Sequence, residues 1–365
     1  MSDQVIKAED LYDFVKRLMM RCQVSDVGAH YIADNLVTAN LRGIDSHGVG
    51  RVKRYVEGIR RGYIVPDVSP KIVRENSVLG NVDARDGVGQ PAGVFGMDMA
   101  IEKAQSEGIG LVTVFNSNHY GFAGYYAMRA LEHNLIGISL TNSEPLVVPT
   151  FARNAILGTN PISIAAPTSK NRPWVMDLAT SVVPRGKLEV YERLGKRIPP
   201  GWATDERGTS TDDPARVLEN VLYGYAGGIL PLGGEGETHG GHKGYGLSLM
   251  VDVLSGVLSG SNFGPDIIAT KDGKMNHPRV GHFFMALDPA FFTELDVFKR
   301  RMDDYIDLLH TCNRAEGCSR IYVHGEKEYE MHDLRTREGI PLDAKTAESL
   351  IEYSKQFNEA IHFMS

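Results

Sequence analysis

The pattern of apolar residues changes near residue 71, and this change constrains the fold more than any other feature of the sequence. Upstream, apolar residues recur at helical spacing, as in Leu11, Phe14, Val15 and Leu18. Downstream, short apolar runs alternate with longer helical segments. Spacings of three and four residues are typical of an amphipathic helix, and short apolar runs are typical of buried strands. The sequence therefore predicts a mixed α/β fold that begins with helices.

The predicted elements follow from these two patterns. Three helices are predicted before residue 65, over 9–21, after Ser25 and after Ser46. Strands are predicted near residues 71–75, 78–83, 110–116, 135–142, 161–167, 174–178 and 280–287. Later helices are predicted near residues 90–107, 120–133, 182–194, 214–222, 243–259, 291–310 and 342–362. The glycine-rich segment 227–241 is predicted to form a mobile loop.

The length of the chain predicts two domains, because 365 residues exceed what one compact core usually holds. We expect residues 1–70 to form a helical domain that C-terminal helices, at about 291–365, complete. Residues 71–290 are expected to form the domain with the mixed sheet.

Composition and charge argue against several classes of protein. The formal net charge is −7, so the chain lacks the basic surface typical of nucleic-acid binding. No apolar stretch approaches the roughly 20 residues of a membrane span, and no secretory signal begins the chain. Three cysteines, Cys22, Cys312 and Cys318, are too few for a disulfide framework. These observations predict a soluble, cytoplasmic protein that binds neither nucleic acid nor membrane.

The segment DSHGVGR, residues 45–51, carries groups that suit an acidic substrate. If a helix has begun there, His47 and Arg51 project on the same face, since they are four residues apart. A guanidinium holds a carboxylate through paired hydrogen bonds, and a helix N-terminus favours a neutral imidazole. The alternative is that Ser46 is only a helix cap and that His47 is a surface residue.

A second histidine, His119, directly follows the predicted strand 110–116 within the sequence NSNHYG. Polar turns between a strand and a helix often carry the sites of α/β proteins. His119 is therefore the better placed of the two for proton transfer. The alternative is a helix-capping turn rich in Asn and Ser.

Three glycines, Gly87, Gly89 and Gly93, lie between a predicted strand and a predicted helix. They resemble a loosened phosphate-binding fingerprint of a Rossmann domain, but their spacing is wrong by one residue. We therefore interpret them as a tight turn.

Two other segments are candidates for a cofactor site. MDLATS, residues 176–181, ends a predicted strand on Asp177 and continues with small or hydroxyl-bearing residues, which allows backbone amides to approach a phosphate. HKGYG, residues 242–246, places Lys243 and Gly244 at the start of a predicted helix. The alternatives are an ordinary strand-end cap and a solvated lysine.

A metal site is a minor alternative, carried by His239 and His242 in the glycine-rich segment. The pair lacks both the helical spacing of a zinc protease motif and a third ligand nearby. The sequence thus predicts no metal, although a metal-dependent hydrolase or lyase stays as an alternative from another class.

The chain resembles the type-2 malate/L-lactate dehydrogenase family, which includes L-sulfolactate, ureidoglycolate and diketogulonate enzymes. The resemblance runs over nearly the whole length and rests on several motifs in order: DSHGVGR, SNHYG, TNSEPLVVPT, LGTNPIS, MDLATS, HKGYGLSLMVDVLSG and IYVHGE. It implies a sulfolactate dehydrogenase-like sheet that binds NAD or NADP without a Rossmann domain, and a homodimer.

The resemblance also implies roles for individual residues. Either His119 or His47 would transfer the proton; we favour His119, with His47, Ser46 and Arg51 holding the substrate. The implied cofactor contacts are Ser143, Asp177, Leu178, Ala179, Lys243, Gly244, Gly325 and Glu326. This chain departs from the family pattern in two places: it has His324 where the pattern has proline, and its 227–241 segment is longer than in shorter relatives.

Together these observations predict an NAD(P)-dependent oxidoreductase that moves a hydride between nicotinamide and a small 2-hydroxy or 2-oxo acid. Malate and oxaloacetate are the expected substrates. L-lactate, L-sulfolactate and ureidoglycolate are the alternatives within the family.

Overall fold

The computed structural model describes residues 4–271 and 273–364, and within them the fold is mixed α/β, as predicted. The helices are α1 (Ala8–Arg21), α2 (Asp26–Leu41), α3 (Val52–Arg61), α4 (Gly89–Glu107), α5 (Gly124–Arg129), α6 (Arg185–Arg193), α7 (Pro214–Tyr223), α8 (Gly241–Asp252), α9 (Leu295–Thr311), α10 (Glu326–Glu338) and α11 (Ala344–Phe357). The strands are β1 (Gln4–Ile6), β2 (Lys71–Glu75), β3 (Leu79–Asp83), β4 (Ile109–Ser117), β5 (Ile136–Thr141), β6 (Ile162–Ala166), β7 (Trp174–Leu178), β8 (Ala203–Thr204), β9 (Ser210–Thr211), β10 (Gly228–Ile229), β11 (Thr270–Lys271), β12 (Lys274–Met275), β13 (Val280–Leu287) and β14 (Ile340–Leu342).

The main sheet has seven strands in the order β2-β3-β4-β13-β5-β6-β7. Only β3 and β4 run parallel, and every other neighbouring pair is antiparallel. A Rossmann domain has a mostly parallel sheet. The chain therefore has a mixed sheet of another kind, which confirms the predicted fold class.

Helices cover both faces of this sheet. On the central strand β13, Phe284 packs into the core formed with α4 and α5, whereas Phe283 packs with Val251 of α8 on the opposite face. Successive side chains of a strand point to opposite faces, so a strand covered on both sides is apolar throughout. This explains the apolar run over residues 283–287 of β13, and burying each such phenylalanine stabilises the fold by roughly 1.5–3 kcal/mol.

The two ends of the chain pack together. Strand β1 pairs with β14, with Ile6 opposite Ile340, and α11 contacts α1. By contrast, α9 contacts the sheet side, where Asp303 accepts hydrogen bonds from the backbone of residues 169–171. The division into two domains remains a prediction.

Helix α10 was missed by sequence reasoning. Its sequence EKEYEMHDLRTRE contains few apolar residues, and none of its residues is fully buried, so the periodic signal was absent. Several of its contacts are ion pairs, as between Arg335 and Asp45, which lie 2.6 Å apart.

Other elements differ from prediction in their bounds. Residues 228–229 of the expected mobile loop form β10, whose backbone pairs with β8. Helix α5 begins at Gly124 instead of residue 120, because Gly121 has a φ of 86° and keeps residues 119–123 in a turn. Within the described residues, no helix has the length and apolar character needed to cross a membrane.

Candidate active site

A cavity of about 560 Å³ is lined by most of the candidate site residues that were named from the sequence. Its walls come from the start of α3, the turn after β4, the ends of β5 and β7, and the loop before α10. It is lined by Ser46, His47, Arg51, His119, Ser143, Asp177, Leu178, Ala179 and Gly325. Residues far apart in sequence thus face one space.

His47 is held by two 3-10 turns, Asp45–His47 and Val49–Arg51, which precede α3. Asn40 of α2 clamps these turns, since its side chain accepts a hydrogen bond from Val49 N at 2.8 Å and donates one to Asp45 at 2.6 Å. Gly48 lies so close to this amide that a Cβ would fall 2.2 Å from Asn40 Oδ1. Glycine is therefore required at this position.

The two candidate histidines lie side by side. The rings of His47 and His119 are stacked, with centroids 5.7 Å apart and planes inclined by 13°. Burial, followed by the charges of Arg51 and Arg54, lowers the pKa of His47 to about 4. Burial and the charge of Arg54 also lower the pKa of His119 well below its usual value. Both rings are therefore neutral near pH 7, as a proton acceptor must be.

The backbone of His119 rests on Gly89. A Cβ at Gly89 would lie 2.3 Å from Asn118 O and 2.4 Å from His119 O. Asn118 fixes the same turn, since its Nδ2 donates to Asp86 O and Gly87 O at 3.1 and 2.9 Å. The glycine that resembled a phosphate-binding residue is thus part of the support for a candidate catalytic residue.

Two buried residues beneath His119 were missed by sequence reasoning. The hydroxyl of Tyr55 lies 2.8 Å from His119 Nδ1, and Gln90 Nε2 donates to that hydroxyl at 2.6 Å. The only available signal was that Tyr55 follows Arg51 by one helical turn. Gln90 carried no such signal, because it belongs to another helix.

Two arginines of the cavity differ in their partners. Arg54 pairs with Glu144 at 2.6 Å. Arg51 donates through Nε to Ser46 O at 2.6 Å, and in the described part of the chain it forms no ion pair. The outer nitrogens of Arg51 are therefore the better anion-binding group, because no carboxylate competes for them.

The far side of the cavity combines small and polar residues. Ser143 Oγ accepts from Thr159 N at 3.1 Å, and Asp177 Oδ2 accepts from Gly124 N at 2.7 Å. Burial raises the pKa of Asp177 to about 6. Gly325 has a φ of 98°, and a Cβ there would approach Val175 N and O to 3.1 Å. This side offers polar groups and close backbone approach, as a nucleotide requires.

Three predicted contacts lie outside this cavity. Lys243 and Gly244 belong to the first turn of α8 and do not line it. Glu326 pairs with His310 at 2.8 Å and with Arg320 at 3.1 Å, and accepts from Val323 N. Its side chain therefore fixes the loop that carries Gly325.

His239 and His242 are exposed on the glycine-rich segment. Among residues 4–271 and 273–364, no three His, Cys, Asp or Glu side chains are grouped so as to hold a metal ion. The two histidines thus have no third ligand in this part of the chain.

Comparison with known families gives the decisive observation, because the malate/L-lactate dehydrogenase profile matches residues 6–351. The chain belongs to this family. A curated malate dehydrogenase of Pyrococcus abyssi is 48% identical over 351 residues, which cover 96% of this chain and 94% of that protein.

Solved structures of this family share the fold. A malate dehydrogenase of Entamoeba histolytica matches with a TM-score of 0.93 at 38% identity, over 98% of each chain. The sulfolactate dehydrogenase of Methanocaldococcus jannaschii matches with a TM-score of 0.87 at 34% identity, again over 98% of each chain. The resemblance drawn from the motifs is confirmed, and the protein is an oxidoreductase of the malate/L-lactate dehydrogenase family.

Proposed function

We propose that this enzyme uses NAD or NADP to interconvert a small 2-hydroxy acid and its 2-oxo acid, with malate and oxaloacetate as the substrates. The observation that carries this proposal is the juxtaposition of two neutral, stacked histidines with Arg51, whose outer nitrogens pair with no carboxylate among the described residues. A proton acceptor beside an anion-binding group is what the oxidation of a hydroxy acid needs.

His119 transfers the proton in this proposal. On oxidation, the hydroxyl proton passes to His119 while the hydride leaves C2 of the substrate; on reduction both steps reverse. Arg51 holds the C1 carboxylate, with Ser46 and His47 beside it. His47 is the alternative proton-transfer residue, because its ring faces the same cavity and is equally neutral.

The residues on the far side of the cavity fit a nicotinamide dinucleotide, which accepts or supplies the hydride when bound. Ser143 and Asp177 offer polar groups, whereas Leu178, Ala179 and Gly325 allow close approach. Lys243 and Gly244 do not line this cavity, so the geometry of one chain does not support a contact between these two residues and the cofactor. Glu326 would act by holding Gly325 in place.

The choice of a dicarboxylic acid rests on Arg54. It lies three residues after Arg51, which places a second cation in the same cavity. The second carboxylate of malate would share Arg54 with Glu144. Lactate and ureidoglycolate lack a second anion, whereas sulfolactate has one. Relatives that are 48% and 46% identical carry the name malate dehydrogenase, which favours malate.

A homodimer is also part of the proposal. The outer face of α8 and the π-helical turn after it expose Leu249, Val253 and Val257, which are 43%, 45% and 56% exposed. A contiguous patch of exposed apolar side chains is typical of a protein–protein interface. Sedimentation should give a dimer, and Val253→Glu should give monomers.

The test of the proposed activity is the change in nicotinamide absorbance with purified protein, using NADH and NADPH against oxaloacetate, pyruvate and sulfopyruvate. Preference for oxaloacetate is expected, and Arg54→Gln should lower kcat/KM for oxaloacetate more than for pyruvate. Equal losses with both acids would contradict the role of Arg54. No turnover with any acid would contradict the proposed function.

A further inference from the structure

A chain of hydrogen bonds runs from the interior to His119. Tyr55 and Gln90 are fully buried, and the Tyr55 hydroxyl lies between Gln90 Nε2 at 2.6 Å and His119 Nδ1 at 2.8 Å. The other candidate histidine differs, since His47 Nδ1 contacts the exposed Ser46 hydroxyl.

The direction of these hydrogen bonds follows from the donors. An amide nitrogen only donates, so the Tyr55 oxygen accepts from Gln90 and its own hydrogen is free for His119. The backbone N–H of Gly121 also points at His119 Nδ1, at 3.3 Å. Two donors therefore meet Nδ1. In a neutral ring, the single hydrogen must then be on Nε2, the other nitrogen.

Neither ring is ionised in this chain of bonds. Burial raises the pKa of Tyr55 to about 12, so the phenol keeps its hydrogen, and burial lowers the pKa of His119. A change of hydrogen-bond direction is thus the only change available near neutral pH.

The direction of these hydrogen bonds can be reversed by rotation of the Gln90 side-chain amide. In the described part of the protein, Gln90 Oε1 is buried without a hydrogen-bond partner. Exchange of the two ends of the amide would present this acceptor to Tyr55. The phenol would then donate to Gln90 and accept from His119 Nδ1, which would leave Nε2 without a hydrogen.

We propose that Tyr55 and Gln90 are positioning residues that set which nitrogen of His119 carries its hydrogen, with Nε2–H in the free enzyme. This inference rests on the proposed role of His119. With hydrogen on Nε2, the ring donates a hydrogen bond to the oxygen of a 2-oxo acid. With hydrogen on Nδ1, bare Nε2 accepts the hydroxyl proton of a 2-hydroxy acid. One histidine thereby binds both substrates, and the proton that it gives up on reduction is replaced from solvent, so that the ring returns to its neutral form.

The test is NMR of the full chain labelled with nitrogen-15 histidine, because the two ring nitrogens have different shifts in the two tautomers. The signals of His119 are assigned by their loss in His119→Gln. Spectra are recorded from about pH 8.5 to 9.5, because the pKa of a fully buried carboxyl group can rise to about 8–9 and the introduced carboxyl group must be ionised for this test. The measurement needs no turnover, so its failure is distinct from a failure of the proposed activity.

Three proteins decide the outcome. Wild type should show Nε2–H. Gln90→Glu should show Nδ1–H, since a carboxylate only accepts hydrogen bonds. Adding Tyr55→Phe to Gln90→Glu should restore Nε2–H, because the connecting hydroxyl is gone. Nδ1–H in wild type, an unchanged tautomer in Gln90→Glu, or no reversal in the double variant would each overturn the proposal.

The matched control is Tyr12→Phe. Tyr12 also contacts a histidine Nδ1, that of His30 at 2.6 Å, but it lies outside the cavity. This change should leave the His119 signals and turnover unaltered. In the assay, Gln90→Glu should raise KM for the 2-oxo acid about fivefold, the effect of one hydrogen bond. A KM equal to that of wild type would count against the proposal.

Discussion

The chain contains two pairs of histidines with opposite environments. His239 and His242 are three residues apart in sequence, yet both are exposed on a glycine-rich segment. His47 and His119 are 72 residues apart, yet their rings stack inside the cavity. Nearness in sequence therefore does not decide which histidines lie together in a cavity.

The difference comes from support by other elements. His47 is fixed by Asn40 of α2, and His119 is fixed by Gly89 and, through Tyr55, by Gln90 of α4. Rigid packing gives a ring one position, whereas an exposed position on the surface does not. The following experiments test this contrast, in order of decreasing expected effect.

His119→Ala should lower kcat by about 10²–10⁴, the usual cost of removing a general base. The controls are the variants His239→Ala and His242→Ala. Their kcat should stay within about twofold of wild type, since substitutions of exposed residues usually have small effects on the folded protein. Steady-state kinetics with oxaloacetate measure both. A kcat near that of wild type in His119→Ala would indicate that His47 transfers the proton instead.

Gly89→Ala should displace the His119 backbone and destabilise the fold by about 1–3 kcal/mol, the usual cost of overpacking. The control is Gly96→Ala, whose Cβ would approach Phe284 and Val114 to 2.8 Å, away from His119. Chemical denaturation should show both variants destabilised, with kcat lowered only in Gly89→Ala. Equal kcat in the two variants would show that Gly89 has no particular role in positioning His119.

The contribution of His47 and His282 to the free energy of unfolding should fall as pH decreases from about 6.5 towards 4. The pKa of His47 is lowered to about 4 and that of His282 to about 3, both mainly by burial. The unfolded chain then binds more protons than the folded one, so stability is fully present above the unfolded pKa and is lost on acidification. Each such histidine contributes a slope of at most about 1.4 kcal/mol per pH unit.

The variant His47→Gln separates this contribution from that of the other groups. It should reduce the slope of stability against pH between about 4 and 6.5, where only the unfolded His47 is protonated. Denaturation series at several pH values measure the slope. The same slope in wild type and His47→Gln would show that His47 is not kept neutral by the fold.

Arg51→Lys should raise KM for the 2-oxo acid about fivefold, with a smaller change in kcat. A lysine retains the charge but loses the two parallel hydrogen bonds of a guanidinium. The exposed Arg197→Lys serves as control, with KM unchanged. A KM equal to that of wild type in Arg51→Lys would indicate that another group binds the substrate carboxylate.

Much of the fold was predictable because its signals are local. The seven strands of the main sheet were all predicted within a few residues, since each is a short apolar run bounded by turn residues. Helix α10 and the short strands β8 to β10 were not, because their contacts are polar or involve only two residues. Local patterns carry no information on such contacts.

The sequence by itself determined the family, the mixed α/β class and the side chains available for chemistry, because these depend on composition and on motifs in order. Only the tertiary structure decided which of those side chains meet. It stacked His47 on His119, and it set Gln90 beneath Tyr55. Among the residues that the structure describes, it paired Arg54 with Glu144 and left Arg51 without an ion pair. The physical reason is that burial, hydrogen-bond direction and pKa depend on distances between residues of different elements, and those distances exist only once α2, α3, α4 and the sheet are packed.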